Sequence, residues 1–126
     1  MDRFVADIMP QLGLKNPKAR YRPHGSRDEL DFLCHDVDGR AVVVEMKKED
    51  GERKAVEQVL RYIRLIRDLA EWKEPRGLVL TGHADLHTRR ALEELEPHYQ
   101  IDWFVYGLDA FDNIRVEKVA IRALQR

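Results

Sequence analysis

The stretch ELDFLCHDVDGRAVVVEMK, residues 29 to 47, holds this chain most tightly to one kind of fold. Two apolar, β-favouring runs, 29 to 36 and 40 to 47, flank the turn DVDG at 36 to 39. Asp38-Gly39 supplies the positive φ angles that tight connections require, so the stretch predicts a β-hairpin. From about Glu52 to Trp72 the period changes. Val56, Val59, Leu60, Ile63, Ile66 and Ala70 recur along one stripe, the pattern of a long amphipathic helix. A hairpin that feeds such a helix demands a sheet with a helical layer against it.

The other segments complete that architecture. Phe4, Val5, Ile8 and Leu12 recur at helical spacing, and Pro10 predicts that the helix ends or bends near Met9. Residues 18 to 23 (KARYRP) read as an edge strand stopped by Pro23. GLVLTG at 77 to 82 reads as a buried strand, Asp85 to Leu95 as a second helix ending before Pro97, and 99 to 108 as a further strand. RVEKVAIRAL at 115 to 124 fits a strand or a terminal helix. The result is a single layered α/β domain over residues 1 to 126. Its sheet is mixed, because the hairpin is antiparallel while later strands follow helices.

Composition narrows the function. Lys and Arg number 22 against 23 Asp and Glu, a formal net charge of -1, so no global field draws the protein onto nucleic acid or an anionic membrane. Any such binding must come from local patches. Cys34 stands alone, which excludes an internal disulfide and a cysteine-based zinc site. The apolar runs are short and the start, MDRFVADIMPQL, is amphipathic and acidic, so we expect a cytoplasmic protein with no membrane span or signal peptide.

Chemistry concentrates where the second hairpin strand leaves the core. Alternation places Val43, Glu45 and Lys47 on one face, with Val42, Val44 and Met46 on the other. If the turn leaves three residues unpaired, positions whose numbers sum to 76 face one another, and Asp31 meets Glu45 with Cβ atoms roughly 5 Å apart. Carboxylates that close repel, and a divalent cation compensates them directly. Mg²⁺ takes one or two carboxylates and leaves positions for water and phosphate oxygens. Lys47 would then ready a water and offset charge on a phosphorane-like transition state. Read as ordinary surface chemistry, Glu45 and Lys47 are strand-end ion-pair partners and Asp31 a solvated edge residue. Against that stands a further set on the long helix: Gln58 and Tyr62, at i and i+4, with Arg61 between, on a flank beside the apolar stripe.

Asp31, then Glu45-Met46-Lys47, then Gln58 and Tyr62 resemble the PD-(D/E)xK nuclease superfamily in its QxxxY branch. Residues 27 to 95 are most similar to the C-terminal nuclease domain of endonuclease NucS (EndoMS). The resemblance implies a restriction-endonuclease-like fold and Mg²⁺- or Mn²⁺-dependent hydrolysis of DNA phosphodiester bonds. It makes Asp31 and Glu45 metal ligands with the Met46 carbonyl as a third, and Lys47 the catalytic lysine. Gln58 and Tyr62 would brace the site or contact the DNA backbone. Arg61, Lys48 and Lys54 are the expected nucleic-acid contacts, and Asp7 is the nearest candidate for the extra acid the family often takes from its N-terminal helix. Leu30 stands where the family has a nominal proline, Glu29 is acidic where relatives are neutral or basic, and Glu49-Asp50 is unusual beside DNA. With no room here for the family's separate N-terminal domain, a homodimer or a DNA-binding partner protein is expected.

Other features weigh less. His83 and His87 have zinc-binding spacing but no third ligand. Arg64, Arg67, Arg89 and Arg90, with Arg53 and Lys54, fit a phosphate-binding rim or a solvated helix face equally. Trp72, Trp103, Phe104 and Tyr106 read as core or dimer-interface aromatics. The rival functions are a catalytically silent module of the same fold that binds nucleic acid or protein, and a structural subunit using strand 99 to 106.

Overall fold

The computed structural model describes residues 3–22, 29–48, 52–68 and 74–121. The elements run α1 (Arg3–Gln11), β1 (Lys15–Tyr21), β2 (Leu30–His35), β3 (Ala41–Lys47), α2 (Glu52–Asp68), β4 (Arg76–Thr81), α3 (Leu86–Glu93), β5 (Ile101–Leu108) and β6 (Ile114–Val119). The predicted tail of the long helix, with Ala70 and Trp72, lies outside the described residues, as do Pro23, Glu49 and Asp50. No described helix is long and apolar enough to cross a membrane.

The strands form one sheet in the order β1-β2-β3-β4-β5-β6. β3, β4 and β5 are mutually parallel, with α2 and α3 as the crossovers; the outer pairings are antiparallel. Alternation sorts the side chains into two cores. Val43, Val79 and Trp103 pack with Val56, Val59, Ala91 and Leu92 of α2 and α3. Val42, Val44, Leu78 and Leu80 pack with Val5, Ile8 and Met9 of α1 on the opposite face. Covered on both sides, the central strands are continuously apolar, which accounts for the unbroken Val42-Val43-Val44 run. Cys34 lies in the second core, where burial pushes its thiol up to about 12 and leaves it a small inert hydrophobe.

Close approach of helix and sheet depends on Gly77. A Cβ there would collide with Val59 Cγ1 and stand 3.1 Å from Ile63 Cδ1 and 3.2 Å from Ile101 Cγ1. Any side chain at this position pushes α2 away from β4.

α1 is short and ends at Gln11, two residues past Met9 and close to where Pro10 places its end. Near the helix end the missing proline N–H forfeits one bond only. Gly13, at φ +70, then closes the helix, with Leu14 N donating to Met9 O at 3.0 Å and Gly13 N to Pro10 O at 3.1 Å. Two local expectations, at β1 and in the hairpin turn, are corrected. β1 begins at Lys15 and not at residue 18; its register shifts between Lys15 and Lys18, and Asn16 and Arg20 take φ of +53 and +49. An edge strand tolerates such irregularity because one side carries no ladder. In the hairpin turn Gly39 alone adopts positive φ, at +81, while Asp38 does not. Asp36 N donates to Arg40 O, so Val37, Asp38 and Gly39 are the three unpaired residues. The C-terminal alternative resolves as a strand, β6.

Candidate active site

The β2–β3 ladder pairs Phe32 with Val44, Leu33 with Val43, Cys34 with Val42 and His35 with Ala41, every sum being the expected 76. At the next step side chains take over from the backbone. Asp31 N donates to Glu45 Oε1 at 3.3 Å, and Met46 N donates to Asp31 Oδ2 at 2.8 Å. The two acids are thus knitted into the strand ends, Asp31 half-buried and Glu45 only 4% exposed. Burial, and then the negative charge of Asp31, push Glu45 up to about 7; the Asp31 amide and the charges of Lys47 and Arg61 pull the other way and lose. This is a carboxylate pair lacking enough positive charge, and it suits a hard cation.

Asp31 and Lys47 line an open cleft of ≈ 570 Å³, whose lining does not include Glu45. Lys47 is half-buried on the same strand face as Glu45. Phe32 and Met46 give the cleft an apolar floor, while Arg20 and Lys48 add cations to its wall. Tyr106 closes one side and donates its hydroxyl to Lys48 O at 2.9 Å, tying β5 to the segment leaving β3. Tyr106 reads from the sequence as a core or interface aromatic, and nothing there ties it or Arg20 to the cleft. Their only signal is the alternation of strands whose place in the sheet the sequence does not reveal.

The sequence profile of the endonuclease NucS C-terminal domain matches residues 22–101, more than half of the chain. The chain belongs to the NucS C-terminal domain family. Its fold is similar to that of EndoMS in a complex with double-stranded DNA (TM-score 0.62, 24% identity, covering 81% of this chain and 42% of that one). It is similar also to EndoMS in the apo form (TM-score 0.57, 25% identity, 78% and 42%). A repair endonuclease from Pyrococcus abyssi shares the fold at TM-score 0.59 and 19% identity, covering 80% of this chain and 46% of that one. The chain therefore spans less than half the length of each of these proteins. No curated protein sequence matches it.

The remaining candidates distribute unevenly over this NucS-type domain. Tyr62 was expected beside the apolar stripe of α2 and instead lies within the core, 1% exposed. Its hydroxyl donates to Glu29 O at 2.9 Å, which pins the chain just before Asp31. The ring is thus held in the core, with its hydroxyl spent on the backbone. Gln58 is half-buried, and its Oε1 accepts no hydrogen bond among the described residues. Arg61 is exposed, with its guanidinium 5.4 Å from the Tyr62 ring centroid and its charge felt at Glu45. Lys48 lines the cleft, whereas exposed Lys54 does not.

Asp7 lines a different pocket, with Gln11 and Arg115, and Val5 is the α1 residue at the cleft. His83 and His87 are both exposed, and among the described residues no group of three or more His, Cys, Asp or Glu is placed to hold a metal. Of the expected rim, Arg53 pairs with Glu94 at 2.9 Å and Arg64 donates to the Tyr99 hydroxyl at 3.0 Å. These arginines serve neighbouring side chains away from the cleft.

Proposed function

We propose that this domain is a Mg²⁺- or Mn²⁺-dependent deoxyribonuclease that hydrolyses DNA phosphodiester bonds, acting as an endonuclease like the family it belongs to. One observation carries the reading: a carboxylate pair, Glu45 buried and Asp31 half-buried, with too little compensating charge, next to a lysine that reaches an open cleft. The donor set fits a hard divalent ion, since Asp31 and Glu45 supply carboxylate oxygens and the Met46 backbone lies directly against Asp31. Bound there, Mg²⁺ or Mn²⁺ would supply Lewis acidity toward phosphate and water.

The protein's own groups divide the rest of the task. Asp31 and Glu45 hold the cation, and Lys47 sets an ammonium where negative charge builds on the phosphoryl oxygens. Arg20 and Lys48 guide the DNA backbone along the cleft wall, a contact that carries affinity without sequence preference. Phe32 and Met46 keep bulk water from the floor. One cleft cuts one strand, so duplex cleavage calls for a second copy of the chain or a DNA-binding partner.

The test is a panel of end-labelled single-stranded, duplex, mismatched and flapped DNA, and RNA, incubated with Mg²⁺, Mn²⁺ or EDTA. Cleavage of DNA with metal only is expected. Lys47→Ala should lose cleavage while still binding Mn²⁺ by calorimetry. If the wild-type protein cuts nothing in the panel, the domain is a silent binding module instead.

A further inference from the structure

Two arginines on one edge of the sheet meet the same situation and answer it differently. The β1–β2 ladder pairs Lys18 with Leu33, Ala19 with Phe32 and Tyr21 with Leu30. On that register Arg20 stands opposite Asp31, and Arg22 opposite Glu29. Arg22 closes the ion pair its position offers, with Nη2 at 3.3 Å from Glu29 Oε2. Arg20 does not. It enters no ion pair or hydrogen bond among the described residues, although an acid faces it. Its backbone takes φ +49, a left-handed conformation that is unfavourable for any residue with a side chain and that marks functional positions more often than others.

The strain accompanies a place in the cleft, which Arg20 lines together with Asp31, Lys47 and Lys48. Lys47 and Lys48 also enter no ion pair among the described residues. Three unspent cations therefore meet at one opening, in a chain whose formal net charge is -1. They are not equivalent. The positive charges felt at Glu45 are those of Lys47 and Arg61, and Asp31 Oδ2 is taken by the Met46 amide at 2.8 Å. Lys47 thus serves the acid pair from β3, whereas Arg20 stands off it on β1. A guanidinium so held does not compete with a cation at the acids and keeps its own charge for an anion. β1 and β3 lie two strand spacings apart, roughly 10 Å, so the two side chains suit separate anionic groups.

Resting on the nuclease reading above, and going past the general guidance it gives this residue, we propose that Arg20 clamps one particular phosphate of the bound strand, the neighbour of the one being cut. A strand that crosses the cleft from β3 toward β1 leaves its scissile phosphate at the acids and Lys47 and brings the next one to Arg20, the β1 cation of the lining. The planar fork of an arginine grips two phosphate oxygens at once, which fixes orientation as well as charge. The left-handed backbone holds that fork in place before DNA arrives. The substrate implied is a strand that continues past the cut on the β1 side with an intact diester there. Its base plays no part, so the contact is blind to sequence.

The experiment takes DNA that wild type cuts and places a single uncharged methylphosphonate at each phosphate flanking the cut in turn. Wild type, Arg20→Ala, Arg20→Lys and Arg20→Gly are compared in Mn²⁺. At one flanking position the neutral group should raise the wild-type KM about ten-fold and leave kcat within a few-fold. Arg20→Ala should already show that loss on unmodified DNA and lose nothing more from the neutral group. Its salt slope of binding should fall by about one, and Arg20→Lys should recover the slope but only part of the affinity. Arg20→Gly, which suits the left-handed backbone, should melt no lower than wild type and still show the loss, so unfolding is not its cause. An Arg20→Ala protein as sensitive as wild type to every flanking methylphosphonate overturns the clamp alone, as does one that cuts unmodified DNA like wild type. Wild type that cuts no DNA overturns the nuclease reading and the clamp together, a result that no Arg20 substitution can mimic.

Discussion

The β2–β3 hairpin buries a carboxylate at each end and treats the two in opposite ways. Asp36, at the turn, is 6% exposed. Its Oδ1 accepts from Asp38 N at 2.9 Å and Arg40 N at 3.0 Å, and its Oδ2 accepts from Arg76 Nε at 3.1 Å. Burial works to raise it, but the Arg40 amide, the Arg76 guanidinium and the Asp38 amide outweigh burial and hold it below the ordinary carboxylate range. Glu45, at the open end, has one long bond of 3.3 Å and a second acid beside it. It is pushed up to about 7. Both acids are sealed from solvent, but Asp36 lies at the turn with three donors while Glu45 lies deeper with one long one, and the two differences together separate an acid that builds a turn from an acid left short of positive charge.

If that contrast is real, activity should divide first. Glu45→Ala is expected to lower metal-dependent cleavage by on the order of 10³, the scale set by removing a principal electrostatic contact. Asp36→Asn should leave it within a few-fold at a temperature where both proteins are folded. Single-turnover cleavage checks both, and a comparable loss in the two variants would erase the distinction.

Stability should divide the other way. Arg76 bridges Asp36 and, at 3.3 Å, Asp102, and its side chain is 12% exposed. Arg76→Ala removes the guanidinium from two acids and is expected to cost about 3 kcal/mol, the low end for a broken buried pair because Asp36 keeps its two amide donors and partly solvated Asp102 keeps Lys118 at 3.6 Å. Urea titration reads this as a lower midpoint at constant slope.

Much of this contrast is legible in the amino-acid sequence. Counting three unpaired turn residues fixes the register, and strand alternation then puts Glu45 and Lys47 on one face. Those are short-range rules acting on adjacent residues. What stays hidden is long-range. Tyr62 joins the core because α2 is packed on both the sheet and α3, which widens its buried stripe beyond what one helical wheel reveals. Arg20 reaches the cleft only because irregular β1 lies against β2, and Tyr106 only because β5 runs parallel to β3.

Glu45 supplies the next smaller effect, with opposite sign. Its folded value, about 7, exceeds the ordinary value of 4.5, so the folded state holds this proton more tightly than the unfolded state does. Stability from this group is complete below pH 4.5, falls as pH rises through the interval, and is gone above about 7. In EDTA at pH 8, Glu45→Gln should therefore be more stable than wild type by about 2 kcal/mol, with the difference vanishing near pH 4.5. Adding Mn²⁺ should stabilise wild type and not the variant. Thermal melts across pH provide the check, and a variant less stable than wild type at pH 8 would mean that Glu45 is already compensated.

The smallest effect tests whether the two ends act independently. Gly39 sits at φ +81 with nothing within 4 Å of the place a Cβ would take, so Gly39→Ala incurs backbone strain without a clash, about 1 kcal/mol. The ladder from His35↔Ala41 to Phe32↔Val44 lies between this turn and the acid pair, and its side chains are packed on both faces. A rigid, fully paired ladder passes strain of that size on as a lower melting temperature, with the register kept, because a one-residue slip would turn Val42 and Val44 out of their core. Cleavage rates at low temperature should accordingly match wild type. A rate that falls in step with the lost stability would show that the turn end sets the geometry at Asp31 and Glu45, so that the hairpin acts as one lever with coupled ends.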